Sequence, residues 1–414
     1  MGIATSFIKP PSAVHETTRR SSARMRTERP EYRAAERIIG LDLSKKTFQG
    51  CILERKEGFR KHHAISGGMD PDGRMKLIGM LNADNWVIIE GGTSSSVLAR
   101  QIMALSEASV FMLNPQKLHI IFQTAVKTDR KDAVKIAEYI RDTDPEKWPL
   151  ISIPTEDESG ERMLINQWIF SKEERTKHVN RLHAVFNQCG IPGLSRSDLK
   201  DAGKRRSLID HFLSSNEHAH LIASMLDDAI CMIELQLDEI EARIREMIIM
   251  RHPEEALSWL SLPGVGIMTA ASCIAYAGDM ERFDGPKQLR NYVGLLPRIS
   301  QSGERCSIYG VNFFGCKPIR RHIMQAAWTV SMNRTPNTLT RAWNSYAERG
   351  KKGQRAAVAI ANKLLTIGYF LVRNKSLYNG FGNYEYLEQK LKREKITALR
   401  TCMYQMQKRT ERLA

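Results

Sequence analysis

Two apolar runs that each end on a carboxylate do most to limit how this 414-residue chain can fold. In RIIGLDL, Ile38, Ile39 and Leu41 surround Gly40 and lead into Asp42; in NWVIIE, the run from Trp86 to Ile89 closes on Glu90. Short β-branched runs of this kind read as buried strands, and an acid at the last position places it at a sheet end. Two further acids, Asp129 and Asp132 in KTDRKDAVKIAEYI, stand three apart at the start of an apolar-periodic stretch. A helix begun there carries both on the same side.

From Arg37 to about Leu150 short apolar runs alternate with turns and helical stretches. GLDLSKKTFQGCILERK predicts two strands in a hairpin, WVIIE a buried strand and SVFML another, while SSSVLARQIMALSEA has helical spacing after a serine run that can cap it. Strand, hairpin, helix, strand and helix suit a ribonuclease H-like sheet. Such a sheet brings Asp42 and Glu90 together and lays the helix with Asp129 and Asp132 against them. Magnesium is a hard ion that prefers carboxylate oxygens, and four converging acids suit a pair of such ions. Two ions can clamp the attacking and leaving oxygens of a phosphodiester, and Lys45, Lys46, Lys127, Arg130 and Lys131 beside the acids would attract its backbone. Taken singly, each acid is an ordinary turn or helix-start residue. Only the set carries the reading.

Past Glu156 the character changes to long, charged helices. ERMLINQWIFSKEERTKHVNRLHAVFNQ is one, ended near Gly190 to Gly193. A second holds Leu226, Ile230, Ile233, Leu237, Ile240, Ile244 and Met247 at alternating spacings of four and three, a heptad seam. It is either the core stripe of a helical hairpin or a coiled-coil arm between protomers. The remainder to about Asn374 is expected to be mostly helical, followed by a polar, basic helix or tail. The chain is therefore α/β plus α: a basic flexible arm at 1–36, a ribonuclease H-like domain at 37–155, a helical linker and coiled coil at 156–255, a mostly helical C-terminal domain at 256–376 and a basic tail at 377–414.

Sixty-two Lys and Arg against 46 Asp and Glu give a formal charge of +16, which favours a polyanionic partner, nucleic acid first. Seven cysteines with no CxxC pair support neither a disulfide framework nor a zinc module and fit a reducing cytoplasm. No apolar run approaches the roughly 18 residues of a membrane span, so no membrane partner is expected.

Pro263-Gly264-Val265-Gly266 resembles the turn of a helix-hairpin-helix module, in which Gly264 and Gly266 would let backbone N–H groups approach a phosphate without sequence choice; a tight turn between core helices has the same pattern. Ser302, in GLLPRISQSGE, is flanked by Arg298 and Arg305, which could hold a phosphate, although a Ser-Gly pair is ordinarily a turn and Ser300 and Ser307 compete on the same argument. The pairs His62-His63 and His218 with His220 have no further ligands at metal spacing and read as surface. Trp168, Tyr292, Phe313, Phe314 and Trp328 read as core, while an exposed ring among them would stack on an unpaired base.

Taken together, GLDLSKKTF, VIIEGG, NPQKLHIIFQTAVKTDRKDA, RTKHVNRLHAVFNQCGI, LPGVG, GLLPRISQSG, GCKPIRRHIMQAA and AAVAIANKLL resemble, in order, the DEDD transposases of insertion sequences of the one-ten type, related to the pilin-gene inversion recombinase. The similarity runs from about Arg37 to Val372. It implies that 37–155 is a RuvC-like DEDD domain in which Asp42, Glu90, Asp129 and Asp132 bind magnesium, that the family's serine nucleophile falls on Ser302, and that Ser302 holds a cut DNA strand as a phosphoserine. It also implies a homo-oligomer, dimer or tetramer, in which the acidic domain of one protomer meets the serine domain of another, and a noncoding bridge RNA that pairs with donor and target DNA. Arg320 and Arg321 in GCKPIRRHIMQAA join the candidate nucleic-acid contacts, and the prokaryotic nucleoid is the expected location. Many relatives have a glycine after the Ser-Gly pair where this chain has Glu304.

Overall fold

The computed structural model describes residues 35–121, 129–191, 193–302, 305–311, 315–332, 336–351, 353–382 and 384–413, with the backbone alone at 119–121, 129, 130, 298–302, 305–309, 412 and 413. The N-terminal arm before Ala35 lies outside them, as do Lys127, Phe313 and Phe314. The chain divides into two compact units, Met1–Thr155 and Glu156–Ala414.

The first unit is built on a six-stranded mixed sheet. β1 (Arg37–Leu43) and β2 (Thr47–Glu54) form the expected hairpin, and β3 (His63–Gly68) extends it antiparallel; β4 (Asn85–Glu90) and β5 (Ser109–Leu113) run parallel to β1, and β6 (Leu150–Ile151) closes the far edge. The order β3-β2-β1-β4-β5-β6 is consistent with a ribonuclease H-like sheet. Helices are α1 (Pro71–Ile78), α2 (Ser95–Leu105), α3 (Pro115–Ile121) and α4 (Asp129–Asp142). β1 and β4 are apolar in both phases because both faces are covered. Ile39, Leu41, Val87 and Ile89 pack with Leu98, Ala99 and Ile102 of α2. Ile38, Trp86 and Ile88 pack with Ala133, Ile136 and Ala137 of α4. The edge strand β3, HAISGG, carries little apolar signal, so the sequence does not announce it.

The second unit begins with α5 (Glu156–Gln188), opened by three acids that suit the positive end of a helix dipole and ended before Gly190 at φ +72°. α6 (Ala202–Leu213) is capped by Asp201 and α7 (Glu217–Arg251) by Asn216, each side chain accepting from a first-turn N–H. α5 and α7 pack along one another, with α6 against α7. Ile230, Leu237, Ile244 and Met247 of the heptad seam are buried within the chain.

The rest is α8 (Pro253–Leu260), α9 (Ile267–Ala277), α10 (Pro286–Val293), the hairpin β7 (Pro297–Ser302) and β8 (Arg305–Val311), α11 (Lys317–Met332), α12 (Thr338–Glu348), α13 (Gln354–Arg373), α14 (Glu385–Arg393) and α15 (Arg400–Leu413). α13 corrects the sequence expectation about apolar length: its 20 residues make it, among the described residues, the one helix long and apolar enough to cross a membrane. It is instead a core helix, with Ile360, Ala361, Leu364, Leu365 and Tyr369 buried. The C-terminal stretch is also more than a polar tail, since Leu387, Leu391, Ile396, Leu399, Met403 and Met406 enter the same core. Trp328 departs from the core reading: it is 36% exposed, its ring 5.6 Å from that of Trp343. The described thiols, Cys51, Cys189, Cys231, Cys273, Cys316 and Cys402, are free.

Candidate active site and nucleic-acid contacts

β1 and β4 are in parallel register, with Leu41 opposite Ile89, so Asp42 and Glu90 are the next residues in step on neighbouring strands. Strand side chains alternate between faces. Asp42 therefore shares the face of Ile38 and Gly40, and Glu90 that of Trp86 and Ile88, which is the face covered by α4. Both acids are half-buried.

α4 runs antiparallel to β1. Its last turn is tied to the start of the sheet, where Arg141 Nη1 donates to Phe59 O at 3.1 Å and His62 pairs with Glu138 at 3.1 Å. Contact at mid-strand is close: a Cβ on Gly40 would lie 2.5 Å from Ala133 O and 2.8 Å from Ala137 N. Asp42 lies about 7 Å along the strand from Gly40, and Asp129 about 6 Å along the helix from Ala133. The first turn of α4 is thus level with the acidic ends of β1 and β4. Asp132 is half-buried and its Oδ1 accepts from Lys135 Nζ at 3.3 Å. The Asp129 backbone opens the helix, and its side chain lies outside the described residues.

Lys45 and Lys46 are exposed in the turn that follows Asp42, held by Ser44 Oγ donating to Thr47 O at 2.8 Å. Lys131 is exposed on the first turn of α4, whereas the Arg130 side chain lies outside the described residues. A different trio also converges: one ligand atom from each of Glu54, Glu57 and His63 lies within 4.8 Å of the others. His63 is exposed, in line with the surface reading of His62-His63, and its Nε2 is 2.5 Å from Glu57 Oε2. The contact holds the Glu57 carboxyl below its usual range. Folding of β3 back on β2 creates this pair, which spacing alone does not announce.

Ser302 ends β7 and pairs across the hairpin with Arg305, with two residues between them; Ser300 pairs with Ser307. This local fold was not expected in a region read as helical, although PRISQS and RCSIYGV alternate and carry β-branched Ile299, Ile308 and Val311. The side chains of Arg298, Ser302 and Arg305 lie outside the described residues. The hairpin's base is fixed: a Cβ on Gly315 would lie 2.6 Å from Gly294 N, Cys316 N donates to Tyr292 O at 2.8 Å, and Asn362 Nδ2 donates to Leu295 O at 3.1 Å. Arg320 and Arg321 follow on the first turns of α11, both half-buried, with Arg321 ion-paired to Glu173.

Gly264 turns inward. Its φ is +77°, a Cβ there would meet Ala326 O at 2.3 Å, and its N–H donates to Tyr386 Oη at 3.4 Å. The local motif could not reveal that partner, which lies 122 residues away. Gly266 is half-buried and precedes α9.

Two family models match the chain in the same order as these sites. Residues 39–191 match a DEDD transposase model, and residues 258–342 match the transposase family IS116/IS110/IS902. Together they span more than half of the chain. The chain belongs to the IS116/IS110/IS902 family of transposases. This transposase is 24% identical to the pilin gene-inverting protein of Moraxella bovis, over 81% of this chain and 95% of that one. It is 23% identical to the transposase for insertion sequence element IS1328 of Yersinia enterocolitica, over 83% and 98%, and 22% identical to that of IS1111A of Coxiella burnetii, over 83% and 91%. As a family transposase it acts on DNA, and DEDD transposases are typically metal-dependent.

Proposed function

We propose that this transposase cuts and rejoins the DNA strands of a mobile element with Ser302 as nucleophile and a magnesium site made by Asp42, Glu90, Asp129 and Asp132. The observation that supports it most is the placement of Asp42 and Glu90 in step on adjacent parallel strands, level with the start of α4. Their donor atoms are hard carboxylate oxygens from separate elements, which suits magnesium. Bound there, magnesium stabilises charge that develops on phosphate oxygens.

In the cutting step Ser302 Oγ bonds to phosphorus as the bond to the leaving oxygen breaks, and the serine proton ends on that oxygen. The strand is kept as a phosphoserine, and attack by another strand's hydroxyl reverses the step and rejoins DNA. Arg298, Arg305, Arg320 and Arg321 serve to hold phosphates around the serine hairpin; Lys45, Lys46, Lys127, Arg130 and Lys131 do so around the acids, with Gly264 and Gly266 shaping the turn before α9. A noncoding bridge RNA supplies sequence choice by base pairing, and the protein works as a dimer or tetramer.

The test is strand cleavage of element-end DNA with co-purified RNA sequenced in parallel. Cutting should require magnesium and vanish in Asp42→Ala and Glu90→Ala, while folding and DNA binding persist. The RNA should contain two loops complementary to donor and target. Cutting that survives both substitutions would remove the acidic site from the reaction.

A further inference from the structure

Lys390, on α14, is 3% exposed, and its ammonium reaches the turn that joins α8 to α9. Nζ donates to Leu260 O at 2.5 Å, Leu262 O at 2.8 Å and Val265 O at 3.1 Å. An ammonium has three N–H bonds, so all three are satisfied by main-chain carbonyls. The Tyr386 ring lies 4.4 Å from Nζ and supplies a further electron-rich face, while Tyr386 Oη takes the Gly264 N–H. Burial and the nearby Arg393 pull the Lys390 pKa down to about 7, with Glu394 opposing. Neither Lys390 nor Tyr386 is used by the reaction proposed above.

Three carbonyl oxygens at these distances around one positive centre are the donor set of a monovalent cation. Their dipoles are aimed inward, and Leu260, Leu262 and Val265 are fully buried, so water does not compete for them. An occupant without donors would leave the buried Leu260 and Val265 carbonyls unpaired, which is costly, while Leu262 O keeps the Val265 N–H at 3.4 Å. We propose that the turn Leu260–Val265 is a monovalent-cation site that the chain fills with its own Lys390 ammonium. Lys390 is accordingly a positioning residue: it makes the Gly264–Gly266 turn independent of dissolved cations and makes α14 part of that turn.

Thermal unfolding of the full-length protein tests this at about pH 6, where the lysine is protonated, in potassium, ammonium or tetramethylammonium chloride of equal ionic strength. Wild type should melt at the same temperature in all three. Lys390→Ala opens the site, so it should melt lower by about 4 °C or more in tetramethylammonium and recover at least half of that in potassium and ammonium, whose ions fit where tetramethylammonium does not. Lys390→Met fills the space without charge and should be destabilised in every salt with no recovery. Selective recovery of the alanine variant alone supports the proposal, including the case in which it folds only in potassium. Equal melting of the alanine variant in all salts, recovery of the methionine variant to the same extent, or failure of the alanine variant to fold in any salt would overturn it.

Discussion

Gly40 lets α4 approach β1 closely, and the proposed acidic site depends on that approach. A valine side chain at this position would meet the α4 backbone rather than a movable side chain, so Gly40→Val should destabilise the first unit by about 3 kcal/mol. Cleavage should be lost with it; denaturant unfolding and a cleavage assay check both. His322 gives a pH signature elsewhere. Burial, helped by Arg321, pulls its pKa from 6.5 down to about 4, and its Nδ1 lies 2.6 Å from Ser272 Oγ. Between those values the unfolded chain binds a proton that the folded chain refuses. Stability should therefore be intact above pH 6.5 and fall as pH is lowered toward 4, by at most about 3 kcal/mol. Urea unfolding at about pH 7 and about pH 4.5 should show a smaller loss for His322→Gln than for wild type; equal losses would refute the assignment. The strand-end positions of Asp42 and Glu90 are legible because an acid closing an apolar run is a local pattern. The surroundings of His322, Lys390 and Gly264 were not, because their partners come from 50 to 130 residues away.

At the scale of elements, the heptad seam of α7 was read correctly as apolar periodicity, but periodicity does not say which helix covers it. α5 of the same chain does. The end of the α5–α7 pair nearest α6 has its own small core, including Leu182, Phe186, Ile209 and Ile230, and beside it fully buried Arg205 binds Asp227 at 2.7 Å and Glu234 at 3.0 Å. Arg205→Met would leave buried Asp227 with only the half-exposed Arg206, 3.7 Å away, and should cost about 3 kcal/mol, read by denaturant unfolding; a loss below about 1 kcal/mol would mean that Arg206 and water already compensate the carboxylate. The β7–β8 hairpin was missed because its short alternating strands sit between strongly helical neighbours, where composition outweighs a period of two. The C-terminal stretch is helical, one of the two forms its sequence suggests, but its basic residues obscure the spacing of Leu387, Leu391, Met403 and Met406, which enter the core.

For the molecule as a whole, the +16 charge and the family assignment point to one substrate, DNA, held largely through phosphates. Binding should weaken steeply with salt, and Lys45→Ala combined with Lys46→Ala should reduce the slope of log affinity against log salt by about 2. An unchanged slope would place the turn after β1 away from the DNA. Composition announced the polyanion and motif order announced the family, but neither could supply the contacts by which distant segments close the core. The central claim is that a serine carries the cut strand, and trapping the covalent protein–DNA intermediate on element-end DNA tests it most directly. The account predicts an adduct with wild type and Ser300→Ala, none with Ser302→Ala, and a phosphorylated Ser302 peptide after digestion. DNA cut by wild type with no adduct at any time would contradict it and make water the nucleophile.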